Sequence, residues 1–208
     1  MVRAQPDPPA QLDVSGAIAQ LGEHLLCKQG VRGSIPRSST IFLIMSQKIT
    51  LIGMAGSGKS TIGSILATRL DKIFIDSDKL IEENLQQPLQ QILEEKGYLK
   101  LRQIEAEIIQ KIDMENAVLA TGGSAVYSPE AMEYLAQQSS IIYLQVPLSI
   151  IYERVDDFGS RGFAKHPDQS IEEVFKERVL LYEHFADIVI ENISSAESCI
   201  QEIMKQLG

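Results

Sequence analysis

Cysteine is scarce in this sequence, and long apolar runs are missing. The two cysteines, Cys27 and Cys199, lie far apart without metal-ligand spacing, which argues against a cysteine metal site and suits a reducing cytoplasm. The longest apolar run near the N-terminus covers residues 41–45. That run is too short to cross a bilayer or to form the core of a signal peptide. We therefore expect a cytoplasmic protein without a membrane segment.

Positive charge is also in short supply. The 208 residues hold 19 lysines and arginines against 28 acidic residues, a net charge of −9, and no run is rich in lysine or arginine. Nucleic acid and anionic membranes are therefore not expected as main partners. Hydrophobic residues make up 44% of the chain, which is enough for the core of one α/β domain with a tail.

One stretch carries a phosphate-binding pattern. Residues 53–61 read Gly-Met-Ala-Gly-Ser-Gly-Lys-Ser-Thr and match G-x-x-x-x-G-K-[ST]. A short β-branched run, 49–52, precedes the pattern, and a segment with helical apolar spacing, 61–70, follows it. A strand, a loop and a helix in this order place backbone N–H groups around a phosphate at the positive end of the helix.

The pattern predicts a nucleoside triphosphate site that includes Mg²⁺. Lys59 is expected to reach the β- and γ-phosphates, and the Ser60 hydroxyl is expected to ligate the metal. The glycines allow the backbone to approach the phosphates closely. The predicted cofactor-binding residues of this loop are Gly53, Gly56, Ser57, Gly58, Lys59, Ser60 and Thr61.

Residues 1–44 differ in composition from the rest of the chain. They contain four of the eight prolines and show no sustained helical or strand period. Residues 17–22 and 33–36 can be back-translated into the D-arm and TψC-arm consensus sequences of a transfer RNA gene. We interpret the segment as the spurious translation of such a gene, with an ordinary disordered extension as the alternative. The domain then covers residues 45–208.

Within that domain, strand-like and helix-like segments alternate. We predict strands at 49–52, 72–75, 117–120, 141–144 and 188–190, with 72–75 as a second buried strand. We predict helices at 61–70, from 76–78 through 81, and at 89–96, 99–111, 129–138, 147–155, 170–185 and 195–207. Strands separated by helices favour a three-layer α/β fold, in which a five-stranded parallel sheet carries helices on both faces.

Acidic residues and glycines follow two of these strands. Asp76 and Asp78 come after the second strand, and Gly122 and Gly123 after the third. Because ligands of open parallel sheets bind at the carboxyl ends of the strands, we expect all four at the ligand site. The two glycines would allow the backbone to approach a small substrate closely, and a simple turn is the alternative. Asp76 is placed to hold the metal or its water shell, and Asp78 to accept or orient the proton of an attacking hydroxyl. A plain helix N-cap is the alternative role for Asp78.

Taken together, these motifs resemble the shikimate kinases. The similarity runs through 53–61, Asp76-Ser-Asp78, Leu101-Arg102-x-x-Glu105, Ala120-Thr-Gly-Gly123, Ser160-Arg161 and Arg178-x-x-Leu181-Tyr182, in the same order and at similar spacing. It implies a P-loop fold like that of the nucleoside monophosphate kinases, with a mobile lid that falls here at about 156–169. It also implies an enzyme that uses ATP and Mg²⁺ to convert shikimate, a small carboxylic acid, to shikimate 3-phosphate. We expect a monomer.

The resemblance implies roles for single residues as well. One aspartate would contact the substrate hydroxyls, two arginines would grip the carboxylate, and two glycines would line the pocket. These substrate-binding residues would be Asp78, Arg102, Gly122, Gly123 and Arg178. Arg161 would belong to the lid and act catalytically together with Lys59 and Asp78, and Arg154 would stack on the adenine.

Several apolar wall and lid positions depart from the family pattern. They are Ser124 in place of a third glycine, Gly162-Phe163-Ala164 in place of Pro-Leu-Leu, Tyr98 in place of glutamate, Leu101 in place of phenylalanine, and Leu180 in place of proline. The polar residues are kept, so the reaction type stands while the acceptor stays open. The alternatives are a kinase of another small hydroxy acid or hydroxyl amino acid, and a catalytically silent nucleotide-binding relative.

Overall fold

The computed structural model describes residues 48–158 and 162–208, and these residues form one α/β domain. Its elements in chain order are β1 (Ile49–Ile52), α1 (Lys59–Arg69), β2 (Ile73–Asp76), α2 (Ser77–Leu85), α3 (Leu89–Ile109), β3 (Ala117–Ala120), a 3₁₀ turn (Ala125–Tyr127), α4 (Pro129–Gln138), β4 (Ser140–Gln145), α5 (Leu148–Arg154), α6 (Ile171–Phe185), β5 (Ile188–Glu191) and α7 (Ala196–Leu207).

The five strands form a single parallel sheet in the order β2-β3-β1-β4-β5. Leu51 of β1 lies level with Ala120 of β3, which in turn lies level with Asp76 of β2. The carboxyl ends of these three neighbouring strands therefore meet at one edge of the sheet. Because each strand of such a sheet is followed by a loop or helix at that edge, the segments after β1, β2 and β3 converge on the same crevice.

Side chains of the central strands alternate between two hydrophobic layers. Ile49 and Leu51 pack on the face covered by α1 and α7, whereas Ile52 packs on the face covered by α3, α4 and α6. All three are fully buried, and burying each contributes roughly 1.5–3 kcal/mol. This two-sided core confirms the predicted three-layer fold and holds β1 rigidly behind the phosphate-binding pattern.

Local sequence signals fix several helix ends. Ser170 and Glu173 form a reciprocal capping box at the start of α6, as the Ser-Ile-Glu-Glu signal predicts. Gly97 has a φ of 79° and a non-helical backbone within α3, so α3 consists of two helical segments separated at Gly97, as the sequence predicts. The side chain of Asp76, and not that of Asp78, caps α2 by accepting the N–H of Asp78.

The second predicted strand exists as β2, but the prediction that it is buried is wrong. β2 lies at the edge of the sheet, and Ile73 is 61% exposed. A β-branched run specifies a strand but not its place in the sheet, because the strand order depends on long-range packing.

Two expectations fall on residues that the structure leaves undescribed. The interpretation of residues 1–44 lies outside the described chain, and so do lid residues 159–161. The described residues on either side, 156–158 and 162–169, contain no helix or strand. No helix between residues 48 and 208, as far as these are described, is long and apolar enough to cross a membrane.

Candidate active site

The phosphate-binding loop leads from β1 into α1 through backbone conformations that favour glycine. Gly58 is the residue before α1 and has a φ of 93°. A Cβ at this position would come within 2.6 Å of the Asn192 amide nitrogen, so any larger residue would open the loop. No side chain caps the N-terminus of α1, and its first N–H groups therefore face the loop as potential anion donors.

Lys59 folds back onto this loop. Its ammonium donates hydrogen bonds of 2.7 and 2.8 Å to the carbonyl oxygens of Gly53 and Met54. Burial lowers the pKa of Lys59 to about 8, although Asp78 and Asp76 act in the opposite direction. The side chain therefore still carries its charge at neutral pH, in a place where a phosphate oxygen could compete with the two carbonyls.

Ser60 and Asp76, the two predicted metal ligands, are in direct contact. The Ser60 hydroxyl donates a 2.7 Å hydrogen bond to one oxygen of Asp76. The other oxygen of Asp76 accepts the N–H of Asp78. The carboxylate thus joins the start of α1 to the start of α2 and holds Asp78 in the first turn of α2.

Asp78 and Glu105 point their carboxyl groups at the same backbone atom. A Cβ on Gly122 would lie 2.4 Å from Asp78 Oδ1 and 2.3 Å from Glu105 Oε1, so a larger residue there would displace both carboxyl groups. Burial raises the pKa of Asp78 to about 6 and that of Glu105 to about 7, and the neighbouring acids add to both effects. The Ser124 hydroxyl donates a 2.5 Å hydrogen bond to Glu105 Oε2.

Arg102 and Arg178 form a pair of neighbouring cations. Both donate to the carbonyl oxygen of Ala164, at 3.2 and 2.6 Å respectively. Arg178 is 1% exposed, and its guanidinium also lies over the Phe163 ring. Among the described residues neither arginine forms an ion pair within 4 Å, so the pair is a ready site for an anion.

Two openings surround these groups. A cleft of about 480 Å³ follows the phosphate-binding loop and is bounded by Arg154 and Asn192. A second, much smaller chamber of about 40 Å³ lies between Glu105, Ser124 and Arg178. Asp78 lines both openings and therefore stands at the boundary between a triphosphate-sized cleft and a small polar chamber.

The structure brings most of the predicted site residues into these two openings. Gly56, Gly58, Lys59, Ser60, Thr61 and Arg154 line the cleft, and Asp78, Gly123 and Arg178 line the chamber. Arg154 donates to the backbone of Asn192. Gly53 and Ser57 lie behind the loop, where the backbone oxygen of Ser57 accepts from Asn192. Arg161 lies outside the described residues.

Comparison with known proteins shows the family to which the chain belongs. A family model described as Shikimate kinase matches residues 55–208. The chain belongs to the shikimate kinase family. The shikimate kinase of Aquifex aeolicus is 32% identical over 161 residues, which cover 77% of this chain and 95% of that protein. The enzyme of Francisella tularensis subsp. holarctica is 34% identical over 77% of this chain and 94% of its own length.

A solved structure agrees with this assignment. Shikimate kinase from Acinetobacter baumannii in complex with shikimate superposes with a TM-score of 0.72 at 28% identity, covering 81% of this chain and 96% of that one. The predicted family, the α/β fold and the kinase class are thereby confirmed. The expected monomer and the cytoplasmic compartment stay predictions.

The sequence-based prediction assigns no role to some of the residues that the structure places at this site. Glu105 occurs in the motif that begins at Leu101 but has no assigned function there, and Ser124 enters only as a departure from the family pattern. Asn192 and Tyr127 are missing altogether. A contact such as Ser124 with Glu105 spans 19 positions, and no local pattern announces it. For Glu105, its position three residues after Arg102 on a helix is a usable signal, because such residues share a face.

Proposed function

We propose that this chain transfers the γ-phosphoryl group of ATP to a hydroxyl of shikimate. The observation that carries the proposal is the position of Asp78, which lines both the triphosphate-sized cleft and the chamber that ends at Arg178. A hydroxy acid whose carboxylate meets the arginines would extend from them toward Asp78 and the phosphates. Membership of the shikimate kinase family and the shikimate complex of the Acinetobacter relative support this choice of acceptor.

On the nucleotide side, the loop from Gly53 to Thr61 would hold the phosphates. The uncapped N–H groups of α1 favour an anion at this place. Lys59 would exchange the carbonyls of Gly53 and Met54 for phosphate oxygens, and its charge would balance the charge that develops in the transition state. We assign the adenine to the far end of the cleft, beside Arg154, and Arg161 to the closing lid.

A magnesium ion fits the pair Ser60 and Asp76. The described residues offer no cluster of three or more acidic, histidine or cysteine ligands, and Mg²⁺ in such enzymes uses one or two protein ligands together with waters and phosphate oxygens. The Ser60 hydroxyl and an Asp76 oxygen, which now bond to each other, would supply these ligands. When bound, the ion neutralises phosphate charge.

Asp78 would accept the proton of the attacking hydroxyl. The hydroxyl oxygen forms a bond to the γ-phosphorus, the bond from that phosphorus to the bridging oxygen breaks, and ADP leaves with the electron pair. The released proton passes to the Asp78 carboxylate. A pKa near 6 leaves this group ionised at neutral pH while keeping it basic enough for the transfer.

On the acceptor side, the chamber must widen before a substrate can enter. Its volume of about 40 Å³ holds roughly three water molecules. The carbonyl oxygen of Ala164, which accepts from both arginines, stands where a carboxylate oxygen of the acceptor would bind. The described lid residues from Gly162 to Ala164 would therefore withdraw from the arginines as the acceptor binds.

One observation bears on the choice of acceptor. Ser124 and Phe163, both departures from the family pattern, line the chamber itself, so its shape differs where the acceptor ring would lie. The runner-up is a kinase of the same mechanism that acts on another small hydroxy acid or hydroxyl amino acid.

An acceptor screen tests both proposals. ATP consumption, coupled to ADP detection, is measured with shikimate and with a panel of hydroxy acids and hydroxyl amino acids. We expect turnover with shikimate, and an Asp78→Asn variant should lower kcat far more than it raises the acceptor KM, because it removes the proton acceptor. Turnover with a different acid but not with shikimate would support the second candidate function. Turnover with none would contradict both.

A further inference from the structure

Tyr127, at the end of the 3₁₀ turn, lies against both Arg102 and Arg178. The Arg102 guanidinium carbon is 3.5 Å from the centre of the Tyr127 ring, and the corresponding atom of Arg178 is 5.3 Å from it. Contacts of this kind hold a guanidinium over the ring face. The aromatic ring therefore packs against the Arg102 guanidinium, which also donates to the carbonyl oxygen of Ala164.

Three buried donors meet around this ring without an acceptor. They are Arg102 Nε, Arg178 Nε and the Tyr127 hydroxyl, none of which has a hydrogen-bond partner that could take its proton within the described chain. Leaving a buried donor unpaired costs roughly 1–3 kcal/mol. These three donors belong to neighbouring side chains, and one carboxylate offers enough lone pairs for all three.

The charges around Tyr127 favour the same ligand. Glu105, the buried acid on the same helix as Arg102, accepts from Ser124 instead of pairing with either arginine. Glu177, which also acts on Tyr127 and Arg102 through space, accepts from Gln169. Neither acid therefore forms an ion pair with Arg102 or Arg178, and both guanidiniums can bind an anionic ligand. Burial raises the pKa of Tyr127, so the hydroxyl keeps its proton at neutral pH and can donate it.

We propose that Tyr127 is a third donor to the acceptor carboxylate: its ring holds Arg102 in place, and its hydroxyl donates a hydrogen bond to one carboxylate oxygen. This inference rests on the proposed function, because it names one more residue of the same acceptor site. It predicts that the site selects acids over neutral analogues through three side chains.

Substitution of the tyrosine hydroxyl tests the proposal. Tyr127→Phe keeps the ring under Arg102 and removes only the hydroxyl, whereas Tyr127→Leu removes both. Tyr134→Phe is the matched control, since the Tyr134 hydroxyl donates to the backbone of Ile112 and, among the described residues, its ring lies over neither guanidinium. Shikimate binding is measured by calorimetry on the full chain, together with the KM values for shikimate and ATP.

We expect Tyr127→Phe to weaken shikimate binding and to raise the shikimate KM by roughly 10- to 100-fold, the range for a hydrogen bond to a charged group. The KM for ATP should stay within about twofold of the wild-type value. Tyr127→Leu should weaken shikimate binding more than Tyr127→Phe does, and Tyr134→Phe should bind shikimate as tightly as wild type. The shikimate methyl ester should lose the difference between wild type and Tyr127→Phe.

The outcomes separate this inference from the proposed function. If wild type binds and phosphorylates shikimate while Tyr127→Phe matches it, the tyrosine hydroxyl is no acceptor ligand and the proposed function stands. If Tyr127→Phe weakens acid and ester equally, its effect is on the shape of the chamber, and the inference is wrong. A wild-type chain that neither binds nor phosphorylates shikimate overturns the proposed function and this inference with it.

Discussion

The Ser60 hydroxyl and the Asp76 carboxylate are joined by a hydrogen bond of 2.7 Å. This contact brings together the end of the phosphate-binding loop and the end of the neighbouring strand, at the place where Mg²⁺ is expected. A metal ion bound by these two groups would therefore replace this hydrogen bond.

Asp76→Asn should therefore raise the Mg²⁺ concentration needed for half-maximal activity, by roughly tenfold or more. The amide can still cap α2, because asparagine is as good an N-cap as aspartate. A titration of activity against Mg²⁺ measures the effect. Asp113→Asn is the control, since Asp113 accepts a backbone N–H two residues on, as Asp76 does, but in an exposed loop. An unchanged titration for Asp76→Asn would remove Asp76 from the metal site.

Lys59→Ala should abolish most turnover and leave the fold intact. The ammonium would act on phosphate charge that grows in the transition state, so kcat should fall by roughly 100-fold or more. Folding does not depend on this charge, because burial lowers the pKa of Lys59 and the buried ammonium is thus a cost to stability. Steady-state kinetics and thermal melts measure the two effects. Lys79→Ala, on an exposed site one residue after Asp78, should change neither, and a Lys59→Ala chain within tenfold of wild type would contradict the role.

The alternation of strands and helices was predictable because it depends on short-range patterns. β3 and α4 begin and end where the sequence predicts, since a continuous apolar run and a Ser-Pro start mark them. The edge position of β2 could not be read from its residues, because any β-branched run fits the middle or the edge of a sheet. Its exposed Ile73 follows from strand order alone.

The two halves of the site differ in how much the sequence discloses. The phosphate-binding loop is contiguous, so spacing alone places Lys59 and Ser60. The small chamber is lined mainly by α2, α3, α6, the segment after β3 and the described lid residues, and its contacts join residues that are distant in the chain. Tyr127 is the clearest example. Only the fold brings its ring against Arg102, 25 positions earlier, and against Arg178, 51 positions later.

Glu105 should make the stability of the protein depend on pH. In the folded chain it keeps its proton up to about pH 7, against about 4.5 when unfolded, mainly because it is buried and also because Asp78 is close. The folded state thus binds more protons between these values, and its stability falls as the pH rises through them. Glu105→Gln should remove this loss and raise the Tm relative to wild type by roughly 3 °C or more at pH 8, with little difference at pH 5.

Melting curves from pH 5 to pH 8 check this expectation. Glu107→Gln is the control, because Glu107 lies on the exposed face of the same helix and accepts a hydrogen bond from Gln103. A Glu105→Gln chain whose Tm follows the wild-type pH dependence would show that Glu105 is ionised in the folded state throughout this range.

A chain that begins at Met45 should fold and turn over as the full chain does. The described structure starts at Lys48, whose carbonyl accepts the N–H of Ser140, and the family match begins at residue 55. We propose that residues 1–44 are dispensable, so the two chains should melt within about 1 °C of each other and have equal kcat. Aggregation or loss of activity in the shorter chain would contradict the interpretation of residues 1–44.

Arg102→Ala should separate acceptor binding from chemistry. The guanidinium is partly buried, donates to Ala164 and has no carboxylate partner within the described chain, so its charge is free for the acceptor. Losing such a charge-assisted contact costs roughly 2–5 kcal/mol, and the acceptor KM should rise by roughly 100-fold or more. The KM for ATP should barely change, because the nucleotide is expected on the opposite side of Asp78.

Arg69→Ala is the control, because it removes a surface ion pair with Glu197 and should leave both KM values unchanged. If Arg102→Ala raises the KM for ATP and not that of the acceptor, the two arginines bind phosphate. The proposal that the acceptor carboxylate lies at the arginines would then be wrong.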